Sequence, residues 1–112
     1  MGDVTARHDP EGFLGIDAGT QGLTAVLTDS RLRILATGEA GYGMVPRLGE
    51  GCYEQHPADW EGALRTAMAA LRADAAAKGI ALHVAAIGIS GKMHGEVLCD
   101  GDGMPLAPTR LW

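Results

Sequence analysis

Aromatic side chains are scarce in this sequence, which holds one Phe, two Trp and two Tyr. Alanine and leucine must therefore do much of the packing. Cysteine is almost as rare. Cys52 and Cys99 stand alone, with no CxxC and no His/Cys spacing of the zinc kind, which argues against a disulfide scaffold or a zinc site and fits a reduced, cytoplasmic chain. Basic charge is short as well, nine Lys and Arg against fourteen Asp and Glu, for a net charge of −5. That balance is a poor footprint for nucleic acid or an anionic membrane, so neither is expected as a partner. A nucleotide stays open, because phosphate can be held by backbone N–H groups and Mg²⁺ without a basic field. Apolar runs of membrane-spanning length are lacking, and residues 1–12 show no signal-peptide core.

What is present is an ordinary globular balance, 46% hydrophobic and 21% charged, over 112 residues. That length gives room for one small domain with a thin core. Residues 1–12 read as a disordered leader and residues 13–112 as the folded part. Phe13 to Asp17 is a short apolar run consistent with a buried strand. After a Gly-Thr-Gln-Gly turn, Leu23 to Asp29 reads as a second strand, apolar enough on both faces to be covered on two sides. Leu32 to Ala40 reads as a third, completing an antiparallel meander.

Residues 41–56 are rich in Gly and Pro and read as an extended loop. A helix is expected from Pro57, which suits the first helical position, to Gly79, a natural stop. Asp59 and Glu61 fall in its first turn, and Trp60, Leu64, Met68, Leu71 and Ala75 make one apolar stripe. Val84 to Ser90 is expected to return to the first sheet as a parallel strand through a right-handed crossover. The glycine-flanked loop Gly91 to Gly95 follows, then a strand over Glu96 to Asp100 and a Gly-Asp-Gly turn. The fold class is thus α/β.

Two segments carry chemistry. In Asp17-Ala18-Gly19-Thr20-Gln21-Gly22 a carboxylate ends a strand and a glycine-rich turn follows. The glycines permit torsions closed to other residues and close approach of a ligand. Successive N–H groups can point at phosphate oxygens, with the Thr20 and Gln21 side chains as further donors. Asp17 can hold Mg²⁺ or its waters, or position a reacting hydroxyl. The plainer alternative is a hairpin that needs glycine and happens to carry an aspartate. The pattern is neither a Walker loop nor a dinucleotide fingerprint, since a strand rather than a helix follows the turn. The second segment is Ser90-Gly91-Lys92-Met93-His94-Gly95, at the carboxyl end of a parallel strand, where ligands of α/β sheets usually bind. Lys92 and His94 can donate to sugar hydroxyls and Met93 can pack on a carbon skeleton, or the loop is simply exposed.

Taken together, Asp-x-Gly-Thr-x-Gly, then Tyr53-Glu54-Gln55-His56-Pro57-Ala58-Asp59-Trp60, then Gly88-Ile89-Ser90-Gly91-Lys92-Met93-His94-Gly95 and Leu111-Trp112 resemble the amino-terminal part of the FGGY family of carbohydrate kinases. The likeness is greatest to its xylulokinase branch. The resemblance implies a partial ribonuclease-H-like (actin-like ATPase) fold and transfer of the ATP γ-phosphoryl group to a sugar hydroxyl with Mg²⁺. It implies a role for Asp17 in activity near Mg²⁺, phosphate contacts from Gly19, Thr20 and Gln21, and ketose contacts from Met93 and His94. The xylulokinase likeness implies D-xylulose as the sugar; Lys92, which stands where the family usually has Gln, opens another ketose or a polyol as alternatives. An actin-like nucleotide-binding module without sugar chemistry is the rival from another class. The expected partners are the sugar and ATP, with a homodimer open for a full-length protein. The family's general base is an aspartate far downstream, so this chain by itself is expected to be catalytically silent, weakly stable and open at its sheet edges.

Overall fold

Alternating apolar residues build three consecutive strands in the computed structural model, which describes residues 10–93 and 95–111. Strand β1 spans Glu11–Ala18, β2 Gly22–Asp29 and β3 Ile34–Gly41. They form the expected antiparallel meander. Part of the expected leader is ordered. Glu11 and Gly12 extend β1 because partners exist on both sides, Gly12 opposite Asp29 and Glu11 beside His83. Residues 1–9 lie outside the described residues.

Helix α1 spans Pro57–Ala77, with Pro in its first turn, and the chain leaves it through Gly79 at φ +67°. It packs on β3 and β2. On β2, Leu23, Ala25 and Leu27 are buried beneath it together with Leu14 of β1 and Ala36 of β3. The expected two-sided cover is not seen among the described residues, where one helix covers one face and Thr24, Val26 and Thr28 are half-buried on the other.

The buried helix stripe also differs from the expected one. Ala63, Ala67 and Leu71 face the sheet, Met68 and Ala75 pack at its margin, and Leu64 is exposed. The cause is Gly38, whose position admits no side chain. A Cβ there would lie 2.0 Å from the Ala67 carbonyl oxygen and 2.6 Å from the Leu71 nitrogen. Helix backbone rides directly on strand backbone, so alanines make the seam and larger residues sit beside it. Close packing of small groups gains dispersion contacts that a scarce aromatic supply would otherwise provide. Asp74 pins the far end of the helix, accepting from the Thr37 N–H at 3.0 Å and from Lys78 Nζ at 3.0 Å.

Strand β5, His83–Gly91, returns parallel to β1 as expected, giving the order β3-β2-β1-β5. Its Ile87 and Ile89 are exposed, because α1 covers the opposite end of the sheet. A second sheet was not foreseen. Strands β4 (Tyr53–Gln55), β6 (Gly95–Glu96) and β7 (Thr109–Leu111) pair in the order β4-β7-β6. Tyr53–Gln55 therefore leaves the expected loop of residues 41–56 to become a strand. The expected strand over Glu96 to Asp100 shortens to its first residue plus a bridge between Cys99 and Pro105. Elements of two or three residues are too short to carry a periodic signal.

Candidate functional site

The sheet brings the two sequence segments to one place. Parallel pairing sets Asp17 beside Ser90 and Ala18 beside Gly91, at the carboxyl ends of both strands. The Lys92 N–H continues the ladder, donating to the Ala18 carbonyl at 3.0 Å. The Asp17 carboxylate is exposed and its Oδ1 accepts from Ser90 Oγ at 2.9 Å. Next to it lies an open recess of about 590 Å³ whose walls include Gly15, Asp17, Thr24, Gly88 and Ser90. Gly15 and Gly88 keep it shallow-sided, since neither carries a side chain and nothing lies within 4 Å of where one would stand.

The turn from β1 to β2 is held through its carbonyls. The Tyr42 hydroxyl sits against the carbonyl oxygens of both Gly19 and Gly22, the latter at 3.1 Å, and shares its proton between them. Gln55 Nε2 donates to the Thr20 carbonyl at 2.6 Å. The Tyr42 N–H donates to the Gln21 carbonyl at 3.2 Å, and the Gly19 N–H closes the turn on the Gly22 carbonyl at 2.9 Å. In a trans peptide the C=O and the following N–H point opposite ways. Carbonyls of Gly19 and Thr20 drawn inward therefore turn the Thr20 and Gln21 N–H groups outward. Among the described residues neither of these two has an internal partner. Such a pair of free N–H groups is suited to an anion.

The expected reason for the glycines is corrected here. Neither Gly19 nor Gly22 has a positive φ. Gly22 is required by close approach, since a Cβ there would lie 2.8 Å from the Ala40 carbonyl oxygen.

Lys92, Met93 and His94 were the expected substrate contacts. Met93 is exposed, at 74% of its full surface. His94 lies outside the described residues. The Lys92 ammonium lies 4.0 Å from the centre of the Trp60 ring and 4.9 Å from that of Tyr42. Burial pulls its pKa below the usual lysine value, and the two ring faces, which attract a cation, oppose that pull. Tyr42 is pushed above the ordinary phenol value by burial and then by the Asp17 charge. Beside Lys92 a smaller cavity of about 270 Å³ is bounded by Ala18, Trp60, Gly91, Gly95 and Val97.

Tyr42, Gln55 and Trp60 thus belong to the site although sequence reasoning gave them no role in it. Gln55 is buried at 1% exposure, and Trp60 Nε1 donates to its Oε1 at 3.1 Å, so its amide has a fixed direction. The sequence signal for Gln55 and Trp60 was membership of the Tyr53–Trp60 motif, and Tyr42 had none. No group of three or more His, Cys, Asp or Glu able to hold a metal occurs among the described residues. Asp17 nevertheless fits Mg²⁺, which takes one or two carboxylates and fills its shell with water and phosphate oxygens. Ser90 uses one of its oxygens and leaves Oδ2 available.

The chain is similar to known proteins along nearly its whole length. Residues 13–112 match the N-terminal domain of the FGGY family of carbohydrate kinases. The chain is 35% identical over 103 residues to a xylulose kinase of Haemophilus influenzae, covering 89% of this chain and 21% of that protein. To a xylulose kinase of Klebsiella pneumoniae it is 36% identical over 100 residues, covering 89% and 20%. Among solved structures, a xyloylose kinase from Brucella ovis superimposes with a TM-score of 0.79 at 38% identity, over 90% of this chain and 20% of the other. A Plasmodium falciparum glycerol kinase shares the fold with a TM-score of 0.79 at 23% identity, over 92% and 20%. The chain spans about a fifth of the length of the relatives it matches.

Proposed function

Because this chain belongs to the FGGY family of carbohydrate kinases, we propose that residues 13–112 are the amino-terminal part of the first domain of a cytoplasmic, ATP-dependent sugar kinase, and that its substrate is D-xylulose. The observation that carries this reading is the meeting of Asp17 and Ser90 at the shared end of β1 and β5, between the glycine-rich turn and the Lys92–Gly95 loop.

The Thr20 and Gln21 N–H groups bind phosphate oxygens of ATP, with the Gly19 peptide held behind them. The Asp17 carboxylate would hold Mg²⁺, and the Ser90 hydroxyl fixes the orientation of that carboxylate. When bound, the ion offsets negative charge on the phosphates as the γ-phosphoryl group transfers. Met93 and His94 contact the ketose.

A second reading, another ketose or a polyol, is favoured by Lys92 in place of the glutamine typical of the xylulokinase branch. The full-length protein, assayed for sugar-dependent ADP release against a panel of ketoses and polyols, is expected to show its highest kcat/KM with D-xylulose. A higher value with another sugar moves the assignment to that sugar. ATP hydrolysis indifferent to every sugar would overturn the kinase reading.

A further inference from the structure

The turn that faces ATP and the loop that faces the sugar share one set of supporting side chains. Tyr42, at the end of β3, reaches the carbonyls of Gly19 and Gly22 through its hydroxyl. Gln55, from the second sheet, reaches the intervening Thr20 carbonyl, and Trp60, from the first turn of α1, fixes the Gln55 amide. The faces of the Tyr42 and Trp60 rings then receive the ammonium of Lys92. Lys92 is anchored at its other end by the Ala18 carbonyl, one residue before the turn. Tyr42, Gln55 and Lys92, from distant parts of the chain, therefore hold the five consecutive carbonyls from Ala18 to Gly22, with Trp60 behind Gln55.

We propose that Tyr42, Gln55 and Trp60 are positioning residues for the phosphate turn, and that Lys92 acts through them as a coupling residue between the sugar loop and ATP. Peptide groups aim their N–H donors only as well as their carbonyls are held. Gln55 is buried and directional, so losing its donor leaves the Thr20 carbonyl without its partner and frees the peptide to rotate. The Lys92 side chain lies between the two rings that make this arrangement. A movement of the sugar loop that withdraws the ammonium takes away a contact from both Tyr42 and Trp60. Sugar occupancy and turn geometry are thereby linked, and ATP affinity depends on a residue of the sugar loop.

This inference rests on the kinase reading, and the test separates the two. In the full-length protein, the KM values for ATP and sugar are measured for Tyr42→Phe, Gln55→Leu, Lys92→Met and Lys92→Arg. ATP affinity is measured in parallel by calorimetry. Tyr42→Phe, which keeps the ring and is the mildest change, and Gln55→Leu are expected to raise the ATP KM about tenfold with the sugar KM unchanged. Lys92→Met is expected to raise the ATP KM about fivefold, and Lys92→Arg to restore it to within about twofold. Lys92→Met combined with Trp60→Leu should add nothing to the larger single effect. A Lys92→Met enzyme changed only in sugar KM overturns the proposal, as do Tyr42→Phe and Gln55→Leu enzymes with unaltered ATP affinity. Wild-type protein that binds ATP yet phosphorylates no sugar defeats the kinase reading alone, and calorimetric ATP affinities of the variants then decide the coupling. Wild-type protein that binds no ATP overturns both.

Discussion

The two flanks of the main sheet are built differently. On one flank β2 and β3 lie under α1 in a seam of Ala36, Gly38, Ala63 and Ala67, where backbone meets backbone. On the other, β5 carries Ile87 and Ile89 exposed, and β1 is its partner in the sheet. The candidate site lies where the second flank begins, at Asp17 and Ser90. The difference separates what the fold spends on holding its shape from what it keeps accessible. Residues of the closed flank should register mainly in stability, and those of the open flank mainly in activity.

The sharpest break between them is expected at Asp17. In the full-length protein Asp17→Ala should lower kcat by about a thousandfold, an effect of the size seen when a preorganised electrostatic group is removed. Its melting temperature should stay close to that of the parent. Near-normal turnover would remove Asp17 from the role assigned to it. The mirror case is Gly38→Ala on the closed flank, expected to cost about 3 kcal/mol by forcing helix and strand apart. Urea denaturation of the 112-residue chain measures it, and a loss below about 1 kcal/mol would mean that the seam yields.

Smaller still is the effect expected for Ile89→Thr in the same chain, within about 0.5 kcal/mol because the side chain is already in water. A loss well beyond that would show that something covers β5. The smallest effect concerns Asp74, whose pKa is lowered first by the Thr37 N–H and then by Lys78. A carboxylate with a folded pKa below its unfolded value adds stability above the model-peptide value of 3.8 and loses it as pH falls through the lower folded one. Thermal melts of Asp74→Asn should therefore be flatter than those of the parent below about pH 4. Parallel slopes would count against the contact.

Much of this plan was legible in the sequence. The meander followed from alternating residues around short turns, and the helix from Pro57 at one end and Gly79 at the other. The two site segments stood out because the Asp17–Gly22 and Ser90–Gly95 stretches occur together with the Tyr53–Trp60 motif, each having a plainer reading alone. What stayed hidden depended on distance along the chain. The stripe read from residue size gave Leu64, whereas the absence of a side chain at Gly38 turned Ala63 and Ala67 inward. Gln55 looked like a loop residue because its strand partner is Thr109, far away in sequence. The supporting role of Tyr42 and Trp60 needs three elements placed together, which no local pattern encodes.

Gly38 has a consequence beyond the seam itself. Helix α1 is a rod resting on that glycine near Ala67, and Trp60 stands near its leading end, about 10 Å away at 1.5 Å per residue. The height of the pivot sets where the tip of the lever rests. A single added methyl at position 38 would lift the rod and carry the indole away from Lys92 and Gln55. The placing of the Trp60 indole beside Lys92 and Gln55 is thus gauged from the middle of a strand, by a side chain whose contribution is its thickness of zero.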